Sequence, residues 1–362
     1  MKIKNIFFAA ILVLAGFSCS MEDDTIMNDV EKGIEEATEA YTVLDFGVAF
    51  NEMATKASTT VVPGEDRPAT GDENNDEKKI SEVSVFLLED GKVIGILKSQ
   101  NMNQVSSNSD GSITLKDLKF VTKYKTNRTL EAHVVINGNQ FLKNINIGDA
   151  QSALNQQISG CLSADQLIKY GSTSIVFGKD ITNSYPSPSV AENNPTTILV
   201  KVSHVAARLD FSQFDVTLKG FEGNPTVVFD EAKFVNLQQN GKIVEGDASV
   251  NVKDGAFLNR SNRIGTRWTD MGTAYGYANQ YKQDSEMNTA LYVKFTVDGR
   301  TFEKTYPINP AGITKEVDHN GIKGGYLYDI KVHWTITPKW GDSTIEFYTR
   351  DWVHNTIPEV VL

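Results

Sequence analysis

Apolar and polar residues alternate with a period of two over much of this chain, which predicts strands in place of helices. The first such run lies between Thr42 and Asn51. There Leu44, Phe46, Val48 and Phe50 interleave with Asp45, Gly47 and Ala49, as in a strand with one buried face. Polar sequence from Ala54 to Lys79 follows, carrying Pro63, Gly64, Pro68, Gly71 and the charged run Asp72 to Lys79, and reads as a long solvated loop open to proteolytic nicking. Val83, Val85 and Leu87 resume the alternation. Asp90-Gly91 then turns the chain into Val93 to Leu97, a hairpin signal.

Further strands are expected at Ser112 to Leu118, at Leu130 to Ile136 and at Ser174 to Phe177, with a loop and helix-like section between Ile145 and Lys169. Ser184 to Pro195 contains Pro186, Pro188 and Pro195 among serines and asparagines, and is the expected interdomain boundary. Beyond it, strands are predicted at Thr197 to His204, Ala207 to Phe211, Asp215 to Lys219, Val227 to Phe234, Leu291 to Val297 and Thr301 to Ile308. Asn259 to Met287 shows little periodicity and reads as an insertion holding Trp268, Tyr275, Tyr277 and Tyr281. In the strand Tyr326 to Thr337, the residues Tyr326, Tyr328, Ile330, Val332 and Trp334 share one face, and Pro338 ends it. Thr344 to Val353 is again strand-like, and Ile357 to Leu362 is apolar. Many short strands with Gly, Asn and Asp turns imply an all-β chain of two β-sandwiches in tandem.

The start of the chain has a separate logic. Lys2 and Lys4 precede an apolar run from Ile6 to Phe17 that is shorter than the ~20 residues a membrane-crossing helix needs, so the segment reads as a secretory signal. Cys19 stands at the expected cleavage point and suits attachment of lipid to its thiol. The acidic stretch Ser20 to Asp24 follows it, as a surface-export signal or a solvated tether. The second cysteine, Cys161, is expected to be a small buried apolar residue.

Formal net charge is −11, and no Lys/Arg-rich cluster exists to neutralise phosphates, so a nucleic-acid partner is excluded. His133, His204, His319, His333 and His354 are scattered singly, away from metal-ligand spacing, and no nucleophile elbow, phosphate loop or calcium loop occurs. No cofactor, metal or enzymatic activity is therefore expected. An apolar terminal segment either closes its own sheet or is lent to a neighbour's sheet edge.

Taken in order, the lipoprotein signal, the first strand with its loop, Glu82 to Leu87, Val134 to Asn137, Val202 to Arg208, Tyr326 to Val332 and Trp352-Val353 resemble the Bacteroidota fimbrillins. The likeness is to minor-fimbria-type and major-subunit-like lipoproteins of type V pili. It implies two transthyretin-like Greek-key sandwiches, with a signal peptide at 1–18, a propeptide at 19–56, and domains at 57–194 and 195–362. It further implies a structural fimbrial subunit that polymerises by protease-triggered donor-strand exchange and supports adhesion and biofilm formation. On this reading an Arg/Lys-specific protease cuts after Lys56, with Arg67 as the alternative, and displaces the strand bearing Leu44, Phe46, Val48 and Phe50. The donor lies within about 341–362 and carries Ile345, Phe347, Thr349, Trp352, Val353, Ile357, Val360 and Leu362. The implied partners are other copies of the chain, accessory fimbrial subunits, the processing protease, and the outer membrane through the Cys19 lipid. Two alternatives stay open: a non-polymerising surface lipoprotein that binds glycan or host protein through the aromatics of 259–287, and a fimbrial anchor or tip subunit.

Overall fold

The computed structural model describes residues 39–50, 75–99, 105–107, 113–244, 246, 248–259, 263–279, 286–308 and 321–351, all within the unit that begins at Glu39. Strands dominate. The first half contains β1 (Tyr41–Phe50), β2 (Val83–Glu89), β3 (Lys92–Ser99), β4 (Val105–Ser107), β5 (Ile113–Lys123) and β6 (Thr129–Ile136). It continues with β7 (Gln157–Ser159), β8 (Lys169–Val176) and β9 (Thr196–His204). The second half contains β10 (Ala207–Leu218), β11 (Val227–Val235), β12 (Leu237–Gln238), β13 (Asn240–Lys242), β14 (Val252–Lys253), β15 (Phe257–Asn259) and β16 (Arg263–Ile264). It ends with β17 (Arg267–Gly276), β18 (Ala290–Val297), β19 (Arg300–Pro307), β20 (Tyr326–Ile336) and β21 (Gly341–Asp351).

In the first half the strands are ordered β3-β2-β6-β8-β9-β1-β5-β4. The path bends between β8 and β9, which share only the pairs Lys169↔His204 and Tyr170↔Ser203. Gly171 explains the close approach there, because a Cβ at that position would lie 1.9 Å from the Lys201 carbonyl oxygen. The two arms fold over a core in which Leu44, Phe46 and Val48 meet Val83, Val85, Leu87, Leu130, Val134 and Val200. In the second half, β17-β10-β20-β21 faces β15-β11-β18-β19. The core between them is built from Phe211, Phe214, Phe229, Phe295, Trp268 and Trp334 among others. A third apolar cluster joins residues of both halves, Phe86 and Leu142 with Ile243, Tyr277 and Leu327.

The halves repeat one pairing scheme. β1 runs parallel to β9 and antiparallel to β5, and likewise β10 runs parallel to β20 and antiparallel to β17. β2 lies between β3 and β6 as β11 lies between β15 and β18. β21 is the addition, extending the second half's sheet beyond β20.

Several expectations change. The predicted pair Ala207 to Phe211 and Asp215 to Lys219 is one strand, β10, with a bulge at Ser212, whose Oγ donates to the Ile330 carbonyl at 3.3 Å. The bulge flips the alternation and makes one strand read as two. The supposed insertion 259–287 contains the ten-residue β17, hidden from a period-two reading by its own register shift opposite Phe211/Gln213. Between Ile145 and Lys169 the chain makes two short 3₁₀ turns and β7, with no α-helix. Ser184 to Pro195 carries the short α1 (Pro188–Glu192), capped by Ser187 Oγ accepting from the Val190 amide and packed on β1. β9, which follows it, pairs with β1 of the first half.

Candidate functional site: the β1 slot and the terminal strand

β1 occupies the middle of a sheet yet has a weak covalent claim on it. Leu44, Phe46 and Val48 are 0% exposed, and Thr42 and Val43 are equally buried. Burial of each large apolar side chain contributes about 1.5–3 kcal/mol, so β1 is a core strand. On one flank Leu44 opposes Phe120 and Val48 opposes Ile113 in β5, with a bulge between Asp45 and Gly47. On the other flank Leu44 to Phe50 run level with Thr196 to Val202 of β9.

The near end of β1 is fastened by local bonds. Tyr41 and Tyr185 exchange two backbone hydrogen bonds at 2.8 Å, and the Tyr124 amide donates to the Ala40 carbonyl at 2.7 Å. Lys123 pairs with Glu39, which also accepts from the Tyr41 hydroxyl at 2.6 Å. The hydrogen bond from Lys123 holds the Glu39 carboxyl below the usual carboxylate range. Among the described residues every other strand follows residue 75, so the covalent path from β1 to those strands runs through residues 51–74. The Phe50 backbone pairs with Val202, while its side chain lies outside the described residues, as do Cys19, Lys56 and Arg67.

The other expected element, the terminal strand, is seated at home. β21 pairs antiparallel with β20 in an unbroken register from Tyr326↔Asp351 to Ile336↔Gly341. Ile345, Phe347 and Thr349 stand opposite Val332, Ile330 and Tyr328. β21 is the last strand of its sheet, so its far edge faces no strand among the described residues. Trp352, Val353, Ile357, Val360 and Leu362 lie outside the described residues.

Other candidates resolve into structural roles. Trp268 is buried against Phe214 and Phe229, at ring distances of 5.3 and 5.7 Å. Tyr277 is buried and donates to the Gly160 carbonyl at 2.6 Å, and Tyr275 donates to Glu77. These three are packing and anchoring residues, not an exposed aromatic contact set; Tyr281 lies outside the described residues. Cys161 is not a buried apolar residue either. It sits half-exposed in a left-handed turn (φ 57°) after Gly160 and accepts from Gln140 Nε2 at 3.2 Å. His133 is buried beside Tyr170 Oη at 2.7 Å and Glu131 at 3.3 Å, and burial pushes its pKa down. Among the described residues no three His, Cys, Asp or Glu side chains come together as a metal site.

Sequence reasoning missed Glu77. It belongs to the acidic run assigned to solvent, but its side chain is fully buried and paired with Arg208. A hint was Arg208 itself, a charge inside the apolar run Val205 to Phe211.

No family model matches the sequence, and no curated protein matches it. Among solved structures, one from Parabacteroides distasonis ATCC 8503, described as a candidate cell adhesion protein, aligns over 86% of this chain and 98% of its own at 17% identity, with a TM-score of 0.57. This chain shares that structure's fold. A second structure of that description from the same organism aligns over 87% of this chain and 100% of its own, at 12% identity and TM-score 0.51. A fimbrial assembly protein, also from P. distasonis, aligns over 86% of this chain and 100% of its own at 16% identity, with TM-score 0.49. The all-β sandwich fold expected from the sequence is thus shared with the two cell adhesion structures.

Proposed function

We propose that this chain is a structural, non-catalytic subunit of surface fimbriae, of the fimbrillin family, which polymerises by donor-strand exchange and supports adhesion and biofilm formation. The observation that carries this reading is β1, a strand whose Leu44, Phe46 and Val48 are fully buried and whose covalent path to the other described strands runs through residues 51–74. A cut in that segment, at Lys56 or alternatively Arg67, turns β1 into a separate peptide held by packing and hydrogen bonds alone. Its departure would leave a slot between β5 and β9 with the apolar seats of Leu44, Phe46 and Val48 open. An extended segment of a second copy, drawn from 341–362, satisfies both ladders and refills the seats. A groove at one place and a strand at another make a head-to-tail contact that propagates as a fibre.

In this scheme 1–18 is a signal peptide, Cys19 carries the lipid that holds the precursor at the outer membrane, and 19–56 is the propeptide. Two sandwich domains form the mature subunit, expected from the sequence at 57–194 and 195–362, with β9 (Thr196–His204) belonging to the first by its pairing with β1 and β8. Its partners in this scheme are other copies of the chain, accessory fimbrial subunits and a host or bacterial surface ligand.

One observation favours a second reading, a non-polymerising anchor or surface lipoprotein. β21 is fully paired with its own β20, as a strand that stays at home would be. The test treats purified precursor with a trypsin-like protease, comparing the full chain with chains ending at Asp351 and at Trp340, and reads SDS-resistant ladders with the mass of the new N-terminus. Ladders from the full chain, with the residues up to the cut released, support the subunit. Monomers in all three would establish the anchor or lipoprotein reading.

A further inference from the structure

The residues that follow segment 51–74 are held by a buried polar cluster that a protease would have to dismantle. Asn75–Lys78 form a single 3₁₀ turn, from which Glu77 points inward. Its Oε2 accepts from Arg208 Nη1 at 3.1 Å, its Oε1 accepts from the Tyr275 hydroxyl, and its carbonyl oxygen lies 3.4 Å from His204 Nε2. Arg208 also donates through Nε to Asp210 at 3.0 Å. The cluster therefore ties this turn to β9, β10 and β17.

The backbone just beyond is pinned as well. The Lys79 carbonyl accepts from Asn137 Nδ2 at 2.9 Å and from Lys169 Nζ at 3.3 Å. Asn137 Oδ1 accepts from the Ser81 amide at 2.8 Å, and the Asn137 amide donates to the Glu82 carbonyl at 3.0 Å. Proteases take their substrates as extended, opened segments, so cleavage inside a folded region waits on local unfolding. Lys78-Lys79 is a basic pair of the same residue class as Lys56 and Arg67, and by residue type alone it is an equal target.

We propose that Glu77 acts as a clamp that shields Lys78-Lys79 and sets the downstream limit of processing, so that a Lys/Arg-specific protease cuts before Asn75 and goes no further. A cut after Lys79 would carry Glu77 away and leave the buried Arg208 guanidinium short of a carboxylate, a costly state. The inference rests on the processing reading above, but its own test needs no polymer.

Trypsin is applied at low ratio to the full chain and to the E77Q and Y275F variants, and fragment masses are followed in time, with thermal denaturation confirming that each is folded. In wild type, chains beginning at Lys79 or Ile80 should form at least about tenfold more slowly than chains cut within 51–74. E77Q should accelerate those cuts about tenfold or more, and Y275F, which keeps the ion pair, by less. Equal rates at both places in wild type, or no acceleration in folded E77Q, would overturn the clamp. If E77Q fails to fold, Y275F decides: faster cutting after Lys78 or Lys79 supports the clamp and an unchanged rate overturns it. Absence of cuts within 51–74 alone counts against the processing reading, whereas the rates after Lys78 and Lys79 judge the clamp.

Discussion

Val48 of β1 stands level with Val200 of β9 in a parallel pair, and both side chains are fully buried. Parallel ladders are slightly less stable per residue than antiparallel ones, so apolar burial carries much of the hold on this flank. Phe46→Ala should therefore lower the stability of the intact chain by about 3–5 kcal/mol in denaturant unfolding. After a cut in 51–74 and loss of the released strand, wild type and variant should unfold identically, because the altered residue has left. A persistent difference would mean that β1 is retained.

Shortening the far end should have two distinct effects. A chain ending at Asp351 keeps every β20–β21 pair and should match the full chain in unfolding midpoint. One ending at Pro338 exposes the edge of β20 and should be less stable by several kcal/mol, on the order of the few tenths to one kcal/mol each cross-strand pair supplies. Equal midpoints for all three chains would argue that β21 adds nothing to its own sheet.

Lys169 is fully buried, and burial pushes its pKa down to about 8. An unfolded chain keeps that proton up to ~10.4. Between those values the unfolded state binds more protons than the folded one, so the contribution of Lys169 to stability rises as pH increases from about 8 toward 10.4. The stability gap between wild type and Lys169→Met should shift in favour of wild type over that interval. Comparing the two proteins cancels the tyrosines that titrate higher. A gap independent of pH would show that Lys169 is not held as a strained cation.

Gly171→Ala should cost about 3 kcal/mol or more, since the new methyl meets backbone at Lys201 and not a side chain that can swing away. Thermal unfolding checks this. A shift of under a degree would mean that β8 and β9 separate without penalty.

Strands whose alternation is unbroken could be read in the sequence: Leu44 to Phe50, and Tyr326 to Trp334 with every second residue facing the core. Both flank or form the candidate site, so its parts were legible. Their arrangement was not. That β1 lies beside β9 depends on contacts between residues far apart in the chain, which local periodicity does not encode. β10 and β17 were obscured where a bulge changes which face each side chain meets. Glu77 escaped because its neighbours are solvated acids, and only the approach of Arg208 and Tyr275 from the second half gives it an interior.

β10 is the second half's counterpart of β1, but it is tied into the chain at both ends, directly after β9 and before β11. Under the proposed donor-strand scheme, a cut in 51–74 makes one vacancy per molecule, and the segment 341–362 is the one strand given in return. A unit of that kind would have a valence of two, one bond given and one received. Assemblies built from it would grow as unbranched lines whose length is set by whichever molecule arrives without a vacancy or without a strand.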